Sequence, residues 1–252
     1  MIDLSPLVRF GLVLVRTGTL VGFAPVFGGF FAPSSIKVGL SVVVAAVLVP
    51  VVTLPAMLTV GSLVLVVMRE FAIGLALSLS VSLVIGAVEF AGYLTGFQLG
   101  YSYAAIVDPQ TGIQNNVVAT AYSSLALLVF LAIDGHHEVL RALAMSYRAL
   151  PMGAGHVGGG LVTIVTQMIG LVFTEGVQLA APVIIVLLVL QLAIGLLSRV
   201  APMLNVLVVG YPLQLLVGLL ALAAAIRMVP AVTSDTFRHS LEMAVHLAEV
   251  FR

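Results

Sequence analysis

Apolar residues run through this chain in long blocks interrupted by isolated polar positions, and the blocks predict helices. They lie roughly at 10–28, 38–54, 58–88, 90–107, 117–133, 161–173, 179–197 and 200–226. Six to eight such segments are too many for a soluble core. A helix crossing a bilayer needs about 20 apolar residues, and the cleanest candidate is 179–197, LAAPVIIVLLVLQLAIGLL. The first block is marginal. Its Leu, Val and Phe residues favour insertion by roughly 0.3–0.6 kcal/mol each, whereas a central Arg16 opposes it by about 2.5–3.5 kcal/mol.

The same flaw recurs. Arg69 and Glu70 sit inside an apolar run, Glu89 divides two more, and Glu175 and Arg199 flank the next. Buried ionisable groups normally face protein or water, not lipid. Two readings follow: the charges mark interfacial loops between shorter helices, or the helices are buried against other chains with charges paired across subunits. Gly92, Gly96 and Gly100 follow one another at four-residue spacing, near one helical face where backbones can approach closely. Gly18 and Gly22 repeat the spacing once.

Two stretches read as amphipathic. Residues 137–150 put Leu140, Leu143, Ala144, Tyr147 and Leu150 on one face and Glu138, Arg141 and Arg148 away from it, after a turn at Asp134-Gly135. The tail is predicted to start at capping residues Ser234 and Asp235, with Phe237, Leu241, Ala244, Ala248 and Phe251 opposite Arg238, Glu242, His246 and Glu249. Between them PMGAGHVGGG reads as a flexible connector, dividing a larger first portion from a hairpin-like portion after about residue 160.

Composition turns the pattern into a class. The chain has 252 residues, 62% hydrophobic and 8% charged, a third of the share a soluble domain carries to cover its surface. It is a membrane-class protein. Zero net charge leaves no basic field for nucleic acid, and the lack of cysteine removes disulfides, thiolate catalysis and cysteine zinc sites. Asp3 and Arg16 argue against a cleaved signal peptide, so the N-terminus is expected to be retained.

Catalytic patterns are not found. GYSYA places Ser102 two residues after Gly100, faintly like a nucleophile elbow, but Ala104 replaces the second glycine. The five histidines fall outside the apolar blocks. His136-His137-Glu138 lacks a ligand spacing, and adjacent histidines on a helix are expected to point apart. No phosphate-binding loop is present, and no cofactor is expected. A secondary transporter would use broken helices and buried charges, although no matching pair of breaks is visible in two halves.

One feature stands out against the apolar background: a polar loop, DPQTGIQNN. Asp108-Pro109 stops a helix and Gly112 permits a turn. Gln110, Thr111, Gln114, Asn115 and Asn116 are polar without charge, and Ile113 is the one sizeable apolar residue. At bilayer depth such backbone survives where it is buried in protein or lines a wet cavity; an exposed connection between spans is the plainer reading.

GFQLGYSYAAIVDPQTGIQNNVV, LLVFLAIDGHHEVLRALAMSYRALP and GLLSRVAPMLNVLVVGYPLQLLVGLL together resemble the FliR family of flagellar type III export-gate proteins, related to the T-type injectisome export apparatus. RTGTLVGFAPVFGGFFAPSSIKVGLS also fits, so the resemblance covers nearly the whole chain. Arg199, Pro202 and Asn205, followed by Gly210-Tyr211-Pro212, carry its most specific element. Val206-Leu207 departs from the family, which often has an aromatic there.

The resemblance implies an all-α polytopic protein of broken helices and hairpins inside a helical export-gate assembly, with a P-like part over 1–155 and a Q-like hairpin over 160–252. It implies FliP-, FliQ- and FlhB-type partners, unfolded flagellar substrates in transit, and no enzymatic activity. It places the chain in the bacterial cytoplasmic membrane at the flagellar basal body, raised toward the periplasm. It implies that Asp108 through Asn116 restrict the conduit as a plug. Arg199, Pro202 and Asn205 are expected at a polar turn making subunit contacts. The competing class is a small-solute secondary transporter.

Overall fold

Where water is scarce, each backbone N–H and C=O must find its partner within the chain, and Leu- and Ala-rich runs meet that demand as helices. The computed structural model describes residues 5–28, 33–52, 60–100, 116–152, 160–201 and 206–250. Among the described residues every regular element is helical: α1 (Ser5–Phe23), α2 (Pro25–Gly28), α3 (Ser34–Leu48), α4 (Val60–Gln98), α5 (Val117–Ala132), α6 (Gly135–Ala149), α7 (Gly160–Val200), α8 (Val206–Ala225) and α9 (Val229–Val250), with short 3-10 turns at Val49–Val51 and Ile226–Met228. Five of these stretches are long and apolar enough to cross a membrane, and the protein is an all-α, multi-pass membrane protein.

Two pairs of sequence blocks are single helices. Glu89 lies inside α4, which has 39 residues, and Glu175 lies inside α7, which has 41. A dip in hydropathy reports the surroundings a side chain needs, whereas a helix breaks only where its backbone ladder fails, and glutamate is a good helix former. Even Pro182 is carried within α7. At 1.5 Å per residue both helices are about 60 Å long, against roughly 30 Å of hydrocarbon.

The chain forms two compact units, each assembled from separated segments. The first comprises 1–84, 131–169 and 237–252. In it α4 lies directly on α1 at Gly74, where a Cβ would stand 2.5 Å from the Arg16 carbonyl oxygen, and Phe23 and Phe71 meet edge to face at 6.4 Å. Leu12, Val13, Leu20 and Val21 are buried.

The second unit comprises 85–130 and 170–236. Its core joins Val88 of α4 and Leu99 just past its end, Tyr122 of α5, and Leu179, Val183 and Leu187 of α7. Hydrophobic transfer supplies little drive where the solvent is lipid, so close backbone approach matters more. Gly92 and Gly176 supply it. A Cβ on Gly92 would stand 2.5 Å from the Ala119 Cα, and one on Gly176 2.6 Å from the Phe90 ring, which packs edge to face on Phe173.

The two amphipathic stretches fold as helices with shifted details. On α6 the buried face is Val139, Ala142, Leu143, Ser146 and Tyr147, about one position round from the expected one, because Ser146 turns inward to a buried charge. Helix α9 begins at Val229, not at Ser234-Asp235. Within it Ser234 bonds back to the Ala231 carbonyl and Thr236 to the Val232 carbonyl, the mid-helix alternative to capping. The connector at 153–159 lies outside the described residues.

Candidate functional site

Arg16 is fully buried, and the first unit is built around it. Its Nε donates to Glu70 Oε2 at 2.6 Å and its Nη2 to Oε1 at 3.0 Å, the bidentate fork that matches guanidinium to carboxylate. Nη1 donates to Ser146 Oγ at 2.9 Å, and Nη2 also reaches the Leu150 carbonyl at 3.4 Å. The Tyr147 ring lies 4.0 Å from the guanidinium carbon, and the Tyr147 hydroxyl donates to the Val13 carbonyl. Three helices, α1, α4 and α6, are thus tied by one neutral knot. Sequence reasoning left interfacial loops and pairing across subunits open for these charges; the structure pairs Arg16 with Glu70 within the chain. The available signal was an arginine in one apolar run and a glutamate, beside Arg69, in another.

In the second unit the structure frames both ends of the segment 101–115. On the departing side α4 ends at Gln98, and Gly100 turns the chain with φ +83°, a conformation that favours glycine. The Tyr211 ring sits 3.0 Å from where a Gly100 Cβ would be, and Gln214 Nε2 donates to the Gln98 carbonyl at 2.6 Å. On the returning side Asn116 Oδ1 accepts from the N–H groups of Val118 and Ala119, capping α5, while its Nδ2 donates to the Tyr93 carbonyl of α4. Its amide lies on Gly96, where any Cβ would overlap it.

The residues singled out in the sequence therefore divide. Gly92 and Gly96 face α5, whereas Gly100 lies beyond the end of α4 as a turn residue. Asn116 is a helix cap. Arg199 is exposed in the last turn of α7. Asp108, Pro109, Gln110, Thr111, Gly112, Ile113, Gln114 and Asn115 lie outside the described residues, as do Ser102, Pro202 and Asn205. Gly18 and Gly22 have nothing within 4 Å of a Cβ. Sequence reasoning gave Tyr211 and Gln214 no role of their own, although Tyr211 stands in its most specific motif and Gln214 in the stretch that follows it.

His136 and His137 do not point apart. Their ring centroids are 4.1 Å apart, and with Asp134 they bring three ligand atoms within 4.8 Å of one another. His137 Nδ1 is already engaged by the Asp134 carboxylate at 3.2 Å. A cation there would compete with that contact at a positive helix N-terminus.

Comparison with known proteins completes the description. Residues 7–240 match the family model described as bacterial export proteins, family 1. The flagellar biosynthetic protein FliR of Pectobacterium carotovorum subsp. carotovorum is 34% identical over 238 residues, covering 93% of this chain and 90% of that protein. FliR of Escherichia coli K12 is 34% identical over 220 residues, 86% of this chain and 83% of its own length. FliR of Bacillus subtilis 168 is 29% identical over 245 residues, 96% and 94% of the two chains.

Proposed function

This chain belongs to family 1 of the bacterial export proteins, as a FliR-type component of the flagellar export apparatus, and from that premise we propose that it forms part of the wall of the export conduit. The observation that carries the reading is Gln191. It lies within the apolar sequence VLLVLQLAIGLL of α7 and is exposed on the chain taken alone. A side-chain amide left unpaired in hydrocarbon costs several kcal/mol, so that face suits protein or a wet passage better than lipid. The spans Ser34–Val51, Thr166–Val200 and Val208–Ser240 have only 11%, 22% and 17% of their residues buried within the chain, which leaves broad faces for neighbours.

The neighbours are FliP-, FliQ- and FlhB-type proteins, the cargo is unfolded flagellar protein, and the assembly stands toward the periplasm, as the family resemblance implies. The division into a P-like part, 1–155, and a Q-like hairpin, 160–252, belongs to the same proposal. Helices α7 and α8 support the hairpin, being joined by five residues, with Gly218 close to Leu187. Arg199, Pro202 and Asn205 form its polar turn and meet another subunit. Residues 108–116 restrict the idle conduit: neutral amides hold one another closed without placing fixed charge before varied substrates. The geometry of Gly100 and Asn116 supports this by fixing both roots of the segment.

Identifying what co-purifies with the tagged chain from solubilised membranes tests the wall. Retention of other export proteins is expected. A lone, monodisperse chain that carries a solute across liposomes would instead favour a secondary transporter. Deleting 110–115 tests the plug: ion leakage should rise while assembly persists.

A further inference from the structure

We propose that Asp134, His136 and His137 form a binding site for a divalent transition-metal ion of the zinc class at the first turn of α6. Their ligand atoms all lie within 4.8 Å of one another. Two imidazoles and one carboxylate suit zinc, nickel or copper(II), whereas calcium and magnesium prefer oxygen ligands alone. Three protein ligands leave the fourth position of a tetrahedral ion to water. Spacing within His136-His137-Glu138 hides the site, because its third ligand, Asp134, precedes the helix.

Asp134 stands at the N-cap position of α6 with φ 57°, yet its side chain makes no capping hydrogen bond. Its backbone carbonyl accepts from the His137 and Glu138 N–H groups, and the carboxylate turns to the His137 ring. There Oδ1 lies 3.2 Å from Nδ1, longer than the ~2.7–2.9 Å of a charge-assisted hydrogen bond. Two ligands held about 2.0–2.1 Å from a tetrahedral ion stand about 3.3 Å apart, so this pair already has the separation zinc requires. His136, its ring 4.1 Å from that of His137, carries an Nδ1 shielded from solvent with no hydrogen-bond partner among the described residues; coordination gives it one. Glu138 is taken by Arg141 at 2.6 Å and stays out of the set. The contact that a cation displaces is weak, since the His137 and Asp134 side chains are 60% and 73% exposed and screened by water. The positive end of the helix opposes a cation, and the Asp134 carboxylate offsets it.

The test uses the full-length chain in detergent, purified without a polyhistidine tag and titrated calorimetrically with zinc ion. One equivalent should bind, and a large excess of magnesium should not displace it. Asp134→Asn removes the charge and keeps a residue that tolerates the left-handed backbone; His136→Ala and His137→Ala each remove one ligand. Each should weaken zinc binding by more than about tenfold, while His239→Ala, at an exposed histidine elsewhere, should leave it unchanged. Histidine acylation of the parent chain gives a second readout that needs no variant: zinc should protect His136 and His137 but not His239. Absence of stoichiometric binding, displacement by magnesium, binding that survives all three substitutions, or equal acylation with and without zinc would each overturn the site.

Discussion

Arg16 and Glu70, 54 residues apart in the chain, meet through two charge-assisted hydrogen bonds of 2.6 and 3.0 Å at a site where their side chains are 0% and 1% exposed. The pair makes α1 compatible with an apolar setting. Arg16 alone would make the first helix a poor span; neutralised by Glu70 and hydrogen-bonded by Ser146, it becomes the point on which three helices converge.

Removing one partner should therefore hurt far more than removing both. A buried charge left without its partner costs on the order of 3–5 kcal/mol, while replacing both with packed apolar residues is often neutral. Arg16→Met and Glu70→Leu singly are expected to lower the chain's thermal stability and its steady-state level in the membrane. The double variant should recover most of both. A double variant no better than the singles would show that Ser146 and Tyr147, not Glu70, are the partners that matter.

Gly92 and Gly18 offer a contrast between two members of similar glycine spacings. A Cβ at Gly92 meets the backbone of Ala119, whereas one at Gly18 meets nothing within 4 Å. Gly92→Ala should destabilise the chain by about 1–3 kcal/mol, the usual cost of overpacking. Gly18→Ala should leave it unchanged or gain up to about 1 kcal/mol in helix propensity. Thermal unfolding of the detergent-solubilised chain measures both.

Asn116 has two functions that substitution can separate. Asn116→Asp keeps the oxygen that caps α5 and loses the donor to the Tyr93 carbonyl; Asn116→Ala loses both. The alanine variant is expected to lose about 1 kcal/mol from the cap alone, with the aspartate variant between it and the parent in the same thermal measurement.

Arg199 ends α7, where a positive charge complements the helix dipole by about 0.3–1 kcal/mol, too little to explain a strong phenotype through the isolated chain. Arg199→Leu is expected to impair co-purification of the complex while leaving the chain's own stability nearly unchanged. Intact assembly with failed export would move its role into the conduit.

Much of this was legible in the residues. The apolar blocks announce helices, and four-residue glycine spacing announces close approach, realised at Gly92 and Gly96 against α5. Gly100 breaks the series because the helix ends two residues earlier, and spacing alone does not report where a backbone turns. Hydropathy misplaced the breaks at Glu89 and Glu175, since a charge alters the cost of an environment without removing a backbone hydrogen bond. It located Arg16 and Glu70 but not their pairing, which depends on tertiary contact across 54 residues. Gln214 escaped notice for the same reason: its meaning lies in one carbonyl on a helix 116 positions away.

The central claim is that the uncovered faces of these long helices meet protein instead of lipid. Placing a photo-crosslinking residue at position 191 in the assembled apparatus tests it most directly, because Gln191 is the exposed polar group set deepest in the cleanest span. Adducts with other export proteins or with passing substrate are the expected result. Adducts confined to lipid would contradict the account.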